Sequence, residues 1–551
     1  MTTARTALSI AKQRQLDWLL GEVLGRAAAR GSTATVRLRP WLAAALLALG
    51  LAAAFGTALL RDASGTAPVQ DPAEAIDWIE CHGPAQIATI PADVVDLKCF
   101  DFDDAALVHL PHFAQLQRLD LSGMDVNDRG YAVALKITDA GLAHLNGLPG
   151  LRWLSLAGCR EVKGEGLRVL ENLPQLEHLD LTSTGVESPA IDRLPWLFSL
   201  RELSLSYCMA FHGRSLAEVA RVAGLRRLEL RGCTTLSAAD VMPLAKLTQL
   251  RHLDLRDCQG RFRGQRAAVL DDVTGGEAPE PPPTEDGIGI TDASVAALGD
   301  LKLETLLLGG SESLTDAVGA TLAKMATLRT LDLSNLPHTT GSLLDQVPRS
   351  LASLAIDENE HYEPRALAGL RRFAGLQELG LAGLGQLEPA TLADVLAGVQ
   401  LTSLRLGGTR RWRRDGPHIR SPRLDSSSVE MLARQRSLRR LDLSLAAWVD
   451  DATVVGLRQL PALVELDLSY VRQLRPSSLA ALAQCRSLRE LTLDFCEWLD
   501  RSALERLTGL SLRRLDLYGT RLFVGHIREI AKAWPGCVIK LPDGQTYRAP
   551  R

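Results

Sequence analysis

One spacing constrains this chain more than any other feature. Leucines recur in the frame L-x-x-L-x-L, as at Leu116, Leu119 and Leu121 and again at Leu151, Leu154 and Leu156. The frame restarts at Leu176, Leu200, Leu225, Leu250, Leu303, Leu328, Leu351, Leu376, Leu401, Leu438, Leu463, Leu488 and Leu512. Leu97, Phe100 and Phe102 read as a variant first copy. Eleven of the fifteen spacings between these sixteen copies are 23–25 residues. A unit of that size cannot bury its own leucines, but stacked units can. The 551 residues would otherwise suggest three or four domains. The period reduces them to one quasi-one-dimensional body.

The unit reads from strand to turn to helix. Leu154 and Leu156 alternate with Ser155, which puts both leucines on one face of a short strand. Thr138 suits a helix N-cap, and Asp139 after it is favoured by the helix dipole. Leu142 and Leu145 then fall on the inward face. The expected fold is an α/β solenoid, with a parallel sheet on the concave face and helices on the convex face. Five copies carry a cysteine three residues past the frame: Cys159, Cys208, Cys233, Cys258 and Cys496. With the helix starts Thr138-Asp139 and Leu314-Thr315-Asp316, this pattern resembles the cysteine-containing class of leucine-rich repeat proteins. The resemblance covers residues 95–540. It implies protein–protein recognition, and relatives of this class join such repeats to an F-box in ubiquitin-ligase adapters. Residues 61–96 are too short and irregular to read as an F-box.

Ahead of the repeats, residues 41–60 read WLAAALLALGLAAAFGTALL without a charge. Twenty such residues span about 30 Å of hydrocarbon. Seven Lys/Arg precede this stretch, while the 20 residues after it hold one Arg and five acids. The positive-inside rule therefore predicts a single-pass membrane protein with a cytoplasmic N-terminus and extracytoplasmic repeats. The expected organisation is a basic tail over 1–40, a transmembrane helix over 41–60, a linker and N-terminal cap over 61–94, repeats over 95–540 and a tail over 541–551. Insertions fall near 125–136, 259–287 and 410–424. The second is acidic and Pro-rich, and the third opens with Arg410, Arg411, Trp412, Arg413 and Arg414.

The fifth frame position is Asp in eight copies, Asp101 among them, and the second is Arg in eight. The frame predicts neighbouring Arg and Asp rows. Trp153, Tyr207, Tyr470 and Tyr518 are the aromatic anchors such a surface offers, and with Arg410–Arg414 they form the candidate partner-binding set. A net charge of -3 and 5% aromatic content exclude a nucleic-acid reader of the basic or stacking kind. No catalytic, cofactor or metal constellation emerges. His109 and His112 lack a third ligand, and Asp357–His361 is an acidic turn that could hold a cation. Burial explains the repeat cysteines as inert thiols, while Cys81 and Cys99 could pair. The partner is expected to be a protein or a surface polymer. The competing expectation is a cytosolic adapter or secreted effector of the ubiquitin-ligase type.

Overall fold

A computed structural model describes residues 78–122, 124–126, 132–134, 136–258, 289–413 and 416–550, with only the backbone described at 124–126, 132–134, 411–413 and 416–417. The expected membrane span and the whole of the acidic insertion lie outside these residues. No described helix is long and apolar enough to cross a membrane.

The repeats stack into one 19-stranded sheet. Most strands are three residues long with the frame's fourth residue at the centre, and none exceeds five. Trp153–Ser155 pairs with His178–Asp180, placing Leu154 beside Leu179, and the same register joins each described repeat to the next. Even the 259–287 insertion leaves it intact, since Leu253 sits beside Leu306. The pairings are parallel up to Val538–Lys540, which Thr546–Arg548 closes antiparallel. The expected tail thus supplies the last strand. At the other end Ile79–His82 pairs with Asp96–Phe100, so the ladder begins inside the expected cap. The parallel ladder gains a strand at each end over the sixteen counted copies.

The first copy is corrected. Leu97 pairs with Leu119, the fourth frame position, not the first. The frame there is Val94-x-x-Leu97-x-Cys99-x-x-Phe102, and all four are buried. Asp101 therefore leaves the fifth-position row, which Lys98 fills. Phenylalanines at 100 and 102 mimicked the frame at an offset of three.

Short α- and 3-10 helices return the chain, and a carboxylate ladder links their starts. Asp103 caps its own helix, accepting from the Ala106 N–H at 3.0 Å. The next residue, Asp104, reaches forward and accepts from the N–H and hydroxyl of Thr138 at 2.8 and 2.6 Å. Asp292 does the same for Thr315, and Asp316 for Thr340. Asp139 accepts from the Gly164 N–H at 3.0 Å. Its work is therefore to hold the following repeat, beyond the dipole role the sequence suggested. Thr138 accepts from the Ala140 N–H at 3.2 Å, but the helix starts at Gly141 with Ala140 at its N-cap, so Thr138 closes the turn before the helix rather than capping it.

The core side is a second ladder. Cys208, Cys233 and Cys258 donate their thiols to the Leu181, Leu205 and Leu230 carbonyls at 3.0–3.1 Å. Asn359 stands at the cysteine position of its repeat. It donates to the Leu333 carbonyl at 2.9 Å and accepts from the Leu336 N–H at 2.7 Å. All nine cysteines are free and buried, so Cys81 and Cys99 sit in register without pairing. Burial pushes the Cys208 thiol up to about 11 and Cys159 up to about 12, which leaves them protonated and unreactive.

Candidate binding surface

Strand geometry decides which side chains this surface presents. Frame positions three and five point away from the leucines, position seven follows at the sheet end, and position eight makes the turn toward the helix. Position eight has a left-handed backbone in nearly every described copy, from Asp101 (φ 56°) and Gly158 (82°) to Phe495 (56°) and Gly519 (69°). Gly, Asn and Asp suit that conformation, and bulky side chains are strained there.

The expected Arg and Asp rows do not form neighbours. The fifth-position aspartates turn onto their own chain. Asp120, Asp254 and Asp467 each accept from the N–H two residues on, at 2.8, 3.0 and 2.7 Å. They fix the turn that follows the strand. The second-position arginines lie at the opposite strand end, where Arg201, Arg251, Arg329 and Arg489 bond carbonyls and Arg152 pairs with Glu177. Arg201 reaches the Gly224 carbonyl at 3.1 Å, and Arg489 those of Arg486 and Leu488 at 2.8 Å.

The aromatic candidates fall in three places. Trp153 stacks on His178 (centroids 4.9 Å, 12° apart) and meets Trp78 at 5.4 Å. Tyr207 lies over Gly232, where an added Cβ would stand 2.4 Å from the ring, and the Arg231 guanidinium is 5.7 Å from its centroid. Tyr470 and Tyr518 come together through Phe495. Tyr470 and Phe495 stack at 4.4 Å, and Phe495 meets Tyr518 edge-on at 5.1 Å. Arg410 caps this cluster, its guanidinium 4.7 Å over Tyr470, and Lys540 lies 5.0 Å over Tyr518. The structure therefore unites Arg410, Tyr470 and Tyr518 and separates Trp153 and Tyr207 from them. Phe495 and Lys540 were missed. Phe495 was legible, since it holds the same frame position as Tyr470.

The described repeats form a leucine-rich repeat fold. No family model matches the chain. Over 93 residues it is 39% identical to the F-box/LRR-repeat protein 5 of Mus musculus, a stretch covering 15% of this chain and 13% of that relative. The Bos taurus counterpart matches equally. Among solved structures, yeast Rad7 in complex with Elc1 is similar at a TM-score of 0.43 and 18% identity, covering 65% of this chain and 83% of that one. A leucine-rich repeat protein of Leptospira interrogans gives 0.39 and 17%, covering 84% and 100%.

The basic insertion is a hairpin. Thr409–Arg413 pairs antiparallel with Gly416–Arg420. The side chains of Arg411, Trp412 and Arg413, and the whole of Arg414, lie outside the described residues. Arg420 forms an ion pair with Glu360, and Arg405 reaches Asp357, with Nε 3.1 Å from Oδ2. Asp357 also accepts from the Ala382 N–H at 2.7 Å. The acidic turn Asp357–His361 thus spends two carboxylates on arginines of this chain. Among the described residues no three His, Cys, Asp or Glu side chains are grouped to hold a metal.

Proposed function

We propose that this is a single-pass membrane protein whose extracytoplasmic repeats bind another protein or a surface polymer without chemistry of their own. The observation that carries the reading is the aromatic cluster Tyr470–Phe495–Tyr518, held half-buried at the turn edge of the sheet. Two of its rings sit on a left-handed backbone, at φ 59° and 56°. Strain kept outside the core is a mark of a working surface, and clustered rings beside arginine are common binding anchors. The uncharged residues 41–60 and the basic residues before them support the anchor. Nine free thiols count against an oxidising compartment, and the reading requires their burial to keep them from oxidation. Protease added to intact spheroplasts tests the topology. The repeats should be digested while residues 1–40 stay protected. Full protection of the repeats would overturn it.

A second reading rests on the 93-residue similarity to an F-box/LRR-repeat protein. It makes the chain a cytosolic adapter or secreted effector of the ubiquitin-ligase type, and it requires an F-box-like segment before the first strand. Direct binding to the ligase subunit that receives F-boxes would favour it. Absence of that binding would remove it.

A further inference from the structure

Four acids of the last repeats lack the cation partner that most acids of the earlier strands have, Asp180 being an exception. Arg118 meets Asp96, Lys98 meets Asp120 at 2.8 Å, and Arg256 grips Asp254 at 2.7 Å. Four acids on three adjacent strands depart from this. Asp442 lies in register beside Asp467, and Glu465 beside Glu490. Like charges directly opposite destabilise a sheet. None of the four has an ion pair within 4.0 Å among the described residues. Arginines stand in register beside three of them, Arg405 beside Asp442, Arg440 beside Glu465 and Arg514 beside Glu490, but each is taken by another acid, Asp357, Glu378 and Asp516 respectively.

The turn edge of the same strands is apolar. Leu445, Tyr470 and Phe495 occupy position eight in successive repeats, each half-buried and each left-handed at φ 55–59°. Elsewhere that position is mostly Gly, Ser, Asn or Asp. Position seven of the next repeat adds Tyr518. Arg410 and Lys540 already lie over ring faces here, so the geometry of a cation on these rings is displayed within the molecule. Burial, and then the neighbouring Asp442 carboxylate, push Asp467 up to about 7, the behaviour of an acid lacking a counter-charge.

We infer that the sheet face and turn edge of these last repeats dock an arginine- or lysine-rich segment of a partner protein. Its cationic heads would neutralise Asp442, Glu465, Asp467 and Glu490, while its aliphatic stems lie along Leu445, Tyr470 and Phe495. The proposal rests on the recognition reading above and gives that reading a partner chemistry.

The test titrates the full chain with fluorescein-labelled nona-arginine and, in parallel, nona-glutamate. A quadruple variant (Asp442→Asn, Glu465→Gln, Asp467→Asn, Glu490→Gln) should lose nona-arginine affinity about tenfold or more. It should remain folded, because the change removes repulsion. Tyr470→Ala with Phe495→Ala should weaken binding as well. Neutralising Asp271, Asp272, Glu277, Glu280, Glu285 and Asp286 of the acidic insertion should leave it within about twofold. Undiminished binding by the quadruple variant, or loss confined to the insertion variant, would overturn the proposal. Preference for nona-glutamate would overturn the cationic occupant and leave protein recognition standing. Binding of neither peptide overturns this docking surface, and the topology experiment still judges the broader reading.

Discussion

Asn359 shows how one residue holds two repeats together. It is fully buried, and its amide bonds the Leu333 and Ile356 carbonyls and the Leu336 N–H. Asn359→Ala strands buried backbone groups and should destabilise by about 3 kcal/mol in denaturant melts. Asn359→Cys should cost less, because a thiol there keeps the bond that Cys208 and Cys233 make in their own repeats. Equal losses would show that the amide fills space only. Asp467 gives a second residue-scale prediction, and its sign is fixed by linkage. Its folded value, about 7, lies above the unfolded carboxylate range. Its stabilising contribution is therefore complete below pH 4 and lost as pH rises through about 7. Asp467→Asn should be more stable than the natural chain by order of 1 kcal/mol above pH 7, with the gap closing toward pH 4. A gap independent of pH would contradict that origin. His252 works in the opposite sense. Burial holds its imidazole down near 4, so stability contributed by the neutral ring is lost as pH falls from the ordinary histidine range. The comparison therefore has to be made between variants at each pH.

At the scale of elements, the left-handed turn explains why glycine follows an aromatic ring. Phe495 leans onto Gly519, where an added Cβ would come within 2.5 Å of the ring at φ 69°. Gly519→Ala should destabilise by about 2 kcal/mol through strain and overlap together. In a Phe495→Ala background the overlap disappears, so the loss should shrink to the backbone share of about 1 kcal/mol. Additive losses in the double-mutant cycle would show that the ring does not press on this turn. The leucine frame made most of these elements legible, because inward leucines at a fixed period admit few other arrangements. The first copy misled because Phe100 and Phe102 imitate the frame three residues late, and only pairing with Leu119 exposes the offset. The forward reach of Asp104 and Asp139 was invisible, since the spacing between repeats does not say which carboxylate caps which helix. Arg and Asp rows looked adjacent on paper. Three residues of extended chain separate them, about 10 Å.

For the whole molecule, a ladder of parallel pairings carries local features into one surface. Arg410 leaves an insertion after Arg405, yet its guanidinium rests on Tyr470, two strands further along the ladder. Sequence reasoning chose Arg410, Tyr470 and Tyr518 separately. It could not see that they meet, because the contact crosses repeats that are distant in the chain. It passed over Phe495, the ring that joins them, and it grouped Trp153 and Tyr207 with residues many strands away. The opposite turn edge offers a competing surface, where Trp196 is 58% exposed and Phe198 85% exposed. Both edges are apolar, and only one combines rings, cations and unneutralised acids. Replacing Phe495 or Phe198 with the photo-crosslinker benzoylphenylalanine in cells therefore separates the two edges. A discrete protein adduct is expected from position 495, suppressed by excess nona-arginine, and none from position 198. An adduct from position 198 with none from position 495 would contradict that expectation.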